Sequence, residues 1–415
     1  MNKFARFDWL SLLLFSLLVC FGLANIYSAL YNEGDNTIAI SFMQKQLISF
    51  GIGLLLIAII QLIDTRFFER YASLIYLFSL LGLFGLWAFG TEVSGARSWY
   101  SIGGFSLQPS EFAKVAVALA LAKHLGDFNT RIDHAKDYIG AFIILGIPAL
   151  LTLLQPDAGT ALVFLGFFLV LHAEGLPAIF LKGILSFIVL FTMTLLIGAA
   201  WVILGIGMIT LLYLALVKNR KKKKILFPAL LIMMLFSGFT YSVSYIFENV
   251  FEQRHRDRFN ILLGKEVDTQ GIGYNINQSQ IAIGSGRFSG KGYLEGTQTK
   301  GGFVPEQQTD YIFTTVGEEW GFLGTTLVLA LFSLLIFKIL QNAYKQKTIF
   351  SRVFCIGFAY TLFFHVAINL GMVVGLVPTI GIPLPLMSYG GSSLLAFSVF
   401  MGIYLRIAYQ RTRLL

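Results

Sequence analysis

Asp310 closes the run Gly-Phe-Val-Pro-Glu-Gln-Gln-Thr-Asp at 302–310. That run ends a polar loop, roughly residues 247–311, set between two long apolar stretches. A carboxylate where a water-facing loop re-enters a bilayer is costly, which makes it a functional-site candidate. The loop also carries more polar chemistry than a connector needs. Arg254, Arg256, Arg258, Arg287, Lys291 and Lys300 share it. A basic surface beside an acidic loop tip fits an anionic, phosphorylated substrate.

Four further constellations could contribute. In Gln108-Pro109-Ser110-Glu111-Phe112-Ala113-Lys114, Pro109 and Glu111 make a good helix start. Lys114 lies one turn further in, at i+3 from Glu111, so the two can pair, or the Lys114 cation can hold a phosphate. In Gln155-Pro156-Asp157-Ala158-Gly159-Thr160, Asp157 can cap a helix or line the same cavity. The segment 378–393 carries three prolines and three glycines within apolar sequence, which excludes a regular helix. It reads as a re-entrant or interfacial element, where Ser388, Ser392 and Ser393 could donate hydrogen bonds into a cavity. His365 and Asn369, one turn apart in an apolar run, read as interhelical hydrogen-bonding groups.

The large loop reads Phe-Glu-Gln-Arg-His-Arg-Asp-Arg at 251–258 and is glycine-rich over 270–298. Asn275–Ile283 has helical apolar spacing and predicts a short amphipathic helix at the interface. Gly284, Gly286, Gly290 and Gly292 allow close turns, although no Walker motif is present. Glu318 and Glu319 follow about two turns into the next apolar run.

These groups must be held by membrane helices. Of the 415 residues 56% are hydrophobic and 13% charged, more apolar surface than a soluble domain needs. The fold class is an all-α polytopic membrane protein, a single integral membrane domain over 1–415. Twelve runs are long enough to be read as spans: about 9–30, 45–63, 71–90, 109–125, 138–154, 159–173, 178–198, 200–217, 225–246, 312–338, 350–376 and 391–408. The first lacks the short core and cleavage site of a signal peptide and reads as uncleaved. An even count with both termini inside puts the run Lys-Asn-Arg-Lys-Lys-Lys-Lys at 218–224 inside, with Arg406, Arg411 and Arg413. It leaves 31–44, 91–108, 247–311 and 377–390 outside. The net charge of +9 is scattered over short loops, which argues for membrane orientation and against nucleic acid. Cys20 and Cys355 fall inside spans as small apolar filler.

Taken in order, several motifs resemble the SEDS family (shape, elongation, division and sporulation proteins). They are Ser98-Trp99, Gln-Pro-Ser-Glu with Lys114, Gln-Pro-Asp-x-Gly-Thr, Gln-Ser-Gln-Ile-Ala-Ile-Gly-Ser-Gly, Gly-Lys-Gly-Tyr-x-x-Gly-Thr-Gln, Pro-Glu-x-x-Thr-Asp-Tyr-Ile-Phe, Gly-Glu-Glu-x-Gly and Pro-Leu-Pro-x-x-Ser-Tyr-Gly-Gly-Ser. The Gly-Thr-Gln form and short N-terminal tail resemble the elongation members more than the division members.

The resemblance implies a peptidoglycan glycosyltransferase of the bacterial plasma membrane that polymerises lipid II on its outer face. It implies a class B penicillin-binding protein as transpeptidase partner, among other elongation-complex membrane proteins. The family's essential acid falls on Asp310, the expected general base and the expected ligand if a divalent cation (Mg²⁺ or Mn²⁺) is needed. Expected substrate contacts are Arg97, Gln108, Glu111, Lys114, Asp157, Gln280, Lys291, Thr309 and Ser388. Three departures stand out. Gln307-Gln308 replace a frequent Arg-His, Tyr311 replaces Phe, and twelve spans replace ten, with 178–224 as an extra two-helix insertion. A lipid II flippase and a non-catalytic scaffold are the competing readings.

Overall fold

The computed structural model describes residues 7–413 except 94, 104, 128–134, 218, 252 and 266–271. Of the residues singled out above, Lys218, Glu252, Gln270 and Gly271 lie outside the described residues. So do the side chains of 219–223, Arg254, His255, Arg411 and Arg413.

The chain is helical nearly throughout. Its first part comprises α1 (Trp9–Ala29), α2 (Thr37–Ile60), α3 (Thr65–Phe89), α4 (Pro109–Gly126), α5 (Ala135–Leu153), α6 (Ala158–Phe164) and α7 (Phe167–Ala173). Next come α8 (Ala178–Ile197), α9 (Ala199–Leu216), α10 (Asn219–Asn249) and α11 (Gln253–Leu262). The remainder is α12 (Ile272–Ser285), α13 (Thr297–Lys300), α14 (Ile312–Ala343), α15 (Ile349–Val373) and α16 (Gly391–Arg413). Among the described residues nine of these helices are long and apolar enough to cross a membrane. The runs read at 109–125, 138–154 and 159–173 are helices too, the last broken at Leu165–Gly166 into α6 and α7.

The 91–108 segment departs from the all-α fold expected. Three short strands, β1 (Thr91–Val93), β2 (Ala96–Ile102) and β3 (Phe105–Leu107), form an antiparallel meander in the order β1-β2-β3. Tyr100 Oη on β2 donates to the Gly82 carbonyl of α3 at 2.8 Å, tying the meander to the helix below it.

Residues 1–176 and 275–415 form one compact unit, and 177–274 a second. Within the first, α4 is buried along most of its length because it is rich in alanine. Small side chains let helix backbones approach, and Gly357 of α15 faces Ala118 of α4. In the second unit, α8 packs on α10 through Phe187 with Phe236 and Phe239.

α14 is not a continuous helix. Gly321 breaks it at φ 60°, ψ −153°, a conformation open essentially to glycine. The break frees backbone groups that the glycine-rich loop 286–292 satisfies. Lys291 and Gly292 donate their N–H groups to the carbonyls of Glu318 and Glu319, each at 3.0 Å. Phe322 and Leu323 donate in return to the carbonyls of Arg287 and Phe288, at 2.9 and 3.1 Å. This exchange fixes the loop that leads to Asp310.

Candidate functional site

Asp310 is half-buried and sits two residues before α14 begins. Its turn is built on one carbonyl. Glu306 holds φ 51° and its oxygen accepts from the N–H groups of Thr309, Asp310 and Tyr311 at 3.1, 3.2 and 3.5 Å. The turn then docks on the segment read as non-helical at 378–393, which is irregular over 378–390 and enters α16 at Gly391. Tyr389 N–H donates to the Gln308 carbonyl at 2.9 Å, and Tyr311 Oη lies 3.0 Å from Thr379 Oγ1. Gly381, at φ +71°, brings its backbone beside the acid; a Cβ there would sit 3.5 Å from Asp310 Oδ2.

Asn369 on α15 joins the two pieces. Its Nδ2 donates to the Asp310 carbonyl and to the Ile382 carbonyl, both at 2.7 Å, and the residue is fully buried. One turn earlier, His365 Nε2 lies 2.7 Å from Lys114 Nζ. Lys114 in turn pairs with Glu111 Oε1 at 2.6 Å, with both side chains at most 3% exposed. The i+3 pair expected on α4 therefore forms, and α15 completes it.

The capping expectations also hold. Pro109 is the first residue of α4, and Asp157 Oδ1 accepts from Thr160 N–H at 3.0 Å to cap α6. Gln108 links the two helix starts: its Nε2 donates to Asp157 Oδ2 at 3.1 Å and its N–H to Ser392 Oγ at 3.0 Å. Val163 of α6, Ile368 of α15 and Ile382 of the non-helical segment share one apolar cluster, so these starts are packed against the segment that meets Asp310.

The other expected contacts are placed as follows. Thr309 Oγ1 donates back to the Glu306 carbonyl at 3.1 Å. Ser388 is buried and its hydroxyl accepts from Leu384 N–H at 2.8 Å, within its own turn. Gln280 is exposed on α12 and donates to the Val374 carbonyl at the end of α15, at 2.8 Å. Lys291 pairs with Glu318 at 2.6 Å, and Glu318 also accepts from the N–H groups of Gln298 and Thr299, each at 2.9 Å. Arg97 is exposed on β2, with Nη1 3.2 Å from the Trp87 carbonyl.

Gln46 was not singled out in the sequence, and Glu319 was named there without its partner. Gln46 of α2 donates to the Ser388 carbonyl at 3.2 Å and accepts from Gly390 N–H at 3.1 Å. Glu319 is buried and accepts from Ser28 Oγ of α1. The polar run Gln44-Lys45-Gln46 within an otherwise apolar stretch was the available signal for the first. Among the described residues no group of three or more His, Cys, Asp or Glu side chains could hold a metal ion. Mg²⁺ commonly takes one or two carboxylates and otherwise keeps waters or substrate phosphates.

A family model described as cell cycle protein, for FtsW, RodA and SpoVE, matches residues 8–413. The chain is 32% identical over 389 residues to peptidoglycan glycosyltransferase MrdB of Escherichia coli (strain K12), covering 94% of this chain and 91% of that one. It is 32% identical over 426 residues to peptidoglycan glycosyltransferase RodA of Treponema pallidum (strain Nichols), covering 97% of each. Among solved structures it superposes on a chain of a peptidoglycan synthase complex that coordinates polymerization and crosslinking. The TM-score there is 0.72 at 28% identity, with 98% of each chain covered.

Proposed function

The chain belongs to the FtsW/RodA/SpoVE family of cell cycle proteins, and we infer from that membership that it is a multi-pass peptidoglycan glycosyltransferase polymerising lipid II. The observation that carries this reading is identity of about a third to named peptidoglycan glycosyltransferases along nearly the whole of both chains.

The chemistry assigned to the site starts from Asp310. The sugar hydroxyl of one lipid-linked disaccharide attacks the anomeric carbon of another. A new C–O bond forms, the bond from that carbon to the pyrophosphate oxygen breaks, and the hydroxyl proton passes to the Asp310 carboxylate. A general base of this kind is worth about 10²–10⁴-fold. Position supports the role: Asp310 is half-buried two residues before α14 begins, with Gly381 of the non-helical segment beside its Oδ2. The leaving pyrophosphate needs positive charge or N–H donors. Lys114 is the buried cation assigned to it, held between Glu111 and His365, which it must in part exchange for the ligand. Gln108 and Asp157 are assigned to the wall of the same cavity; Arg97, Gln280, Lys291, Thr309 and Ser388 are the remaining assigned contacts. Where a divalent ion takes part, Asp310 would be its ligand, and it would supply positive charge against the pyrophosphate.

The same reading assigns twelve crossings of the bacterial plasma membrane, both termini cytoplasmic, the 247–311 loop outside and α8 with α9 as an added pair. It assigns a class B penicillin-binding protein as partner, supported by the likeness to a chain of a synthase complex.

The test is polymerisation of lipid II by the purified protein with its partner, with and without divalent ions. Wild type makes glycan polymer and Asp310→Ala does not. Undiminished polymer from that variant would overturn the assignment of Asp310, and lipid II flipping in vesicles without polymer would overturn the reaction.

A further inference from the structure

Asn369 is the buried side chain that touches Asp310 at its own backbone. Asn offers two donors on one planar nitrogen and one acceptor oxygen. Both donors are spent at 2.7 Å, on the carbonyls of Asp310 and Ile382. The acceptor Oδ1 is buried with no hydrogen-bond partner. An amide held inside a membrane bundle with an unmet acceptor costs stability. A residue chosen only to fill the α15 interior, as Ile368 or Met372 beside it do, would avoid that cost.

What the amide achieves is geometric. Residues 310 and 382 belong to separate, irregular stretches of backbone, and neither stretch is fixed by helix hydrogen bonds. One nitrogen on a buried helix pins both. Fixing the Asp310 carbonyl fixes the peptide plane from which its side chain departs, and Gly381, next to the second anchor, borders Oδ2. The same helix carries His365 against Lys114, so the acid and the buried cation are referenced to one rigid element.

We propose that Asn369 is a positioning residue for Asp310, clamping the 306–311 turn to the 378–390 segment so that the carboxylate is held in its reactive direction. The proposal rests on the reading of Asp310 as the base. Misplacement of a reacting group by about 1 Å can cost about 10²-fold in rate. Loss of the clamp therefore acts on kcat and leaves substrate affinity alone.

The experiment measures kcat and KM for lipid II, thermal stability and partner capture for Asn369→Ala, Asn369→Asp and Asp310→Ala, each in the full complex. Asn369→Ala is expected to lower kcat about 10- to 100-fold with KM within about twofold and the partner still bound. Asn369→Asp keeps the size, loses both donors and adds a carboxylate near the base. It is expected to lower kcat similarly and to move the acidic limb of the pH–rate profile upward, because a like charge raises a neighbour's proton affinity. A merely structural role would lower thermal stability or partner capture and leave the kcat and KM of the folded complex at wild-type values. Should Asn369→Ala not yield folded complex, Asn369→Asp carries the test. A folded Asn369 variant with wild-type kcat and an unmoved profile, beside an inactive Asp310→Ala, overturns the clamp and spares the base. An active Asp310→Ala overturns the base, and the clamp with it.

Discussion

Lys114 of α4 and His365 of α15 meet at 2.7 Å, with Glu111 closing the group at 2.6 Å from the same ammonium. All three residues are at most 2% exposed. Removing one partner of a buried ion pair strands the other charge, at a cost of about 3–5 kcal/mol, whereas replacing both by neutral groups is often close to neutral. Lys114→Met alone is therefore expected to destabilise the protein severely. The double variant Lys114→Met with Glu111→Gln is expected to regain most of the lost thermal stability. If Lys114 serves the pyrophosphate, that rescued protein still polymerises poorly. Recovery of polymerisation along with stability would make the cation purely structural.

The loop that docks on the break in α14 gives a second prediction. A Cβ on Gly290 would land on the Glu319 carbonyl, and its φ of +82° is strained for any other residue. Gly290→Ala is expected to cost about 1–3 kcal/mol from the backbone conformation, with the clash in addition. Gly284, exposed near the end of α12 with nothing within 4 Å of its Cβ position, is the control. Gly284→Ala should be neutral or gain up to about 1 kcal/mol from helix propensity. Thermal unfolding of the two variants checks the contrast.

That loop also marks where sequence reading stopped. The start of α4 at Pro109, the capping of α6 by Asp157, the helix over Asn275–Ile283 and the irregular 378–390 segment were all legible, because each depends on local rules of proline, caps and periodicity. The break at Gly321 was not. Trp-Gly-Phe-Leu-Gly inside an apolar run reads as continuous helix, and the break is stabilised by backbone groups of residues 287–292 that no local pattern announces. The β1–β3 meander was missed because β1 and β3 have three residues each and β2, Ala-Arg-Ser-Trp-Tyr-Ser-Ile, does not alternate. For the site, residue types were readable and pairings were not. Lys114 was seen with Glu111 three residues away, but its contact with a histidine 251 positions later depends on how α4 and α15 pack.

Gln307 lies three residues before the acid, and its side chain faces elsewhere. Its Nε2 donates to the Thr299 carbonyl at 3.0 Å and to the carbonyl of Ala29, at the end of α1. Both oxygens would lose a buried donor in Gln307→Ala, at about 1–3 kcal/mol. That variant is expected to lower thermal stability while leaving the acidic limb of the pH–rate profile where it is. Gln308 holds Tyr389 through its main-chain carbonyl, so Gln308→Ala should change neither. A shift of the profile in Gln307→Ala would mean that this side chain helps to set the proton affinity of Asp310.

Glu306 offers the sharpest separation of backbone from side chain. The residue is exposed, yet its φ of 51° and its carbonyl, shared by three N–H groups, define the turn that presents Asp310. The left-handed region costs an ordinary residue about 1–2 kcal/mol, costs glycine little, and is a severe outlier for a β-branched residue. Glu306→Gly removes the carboxylate and keeps the turn, so polymerisation should stay within about twofold of wild type, with relief of strain offset by the greater freedom of glycine in the unfolded chain. Glu306→Val removes the same carboxylate and forbids the turn, so kcat should fall by about tenfold or more as the acid is misdirected. Steady-state kinetics on the two variants decide the matter. Equal losses in both would make the Glu306 carboxylate, and not the turn, the feature the reaction needs.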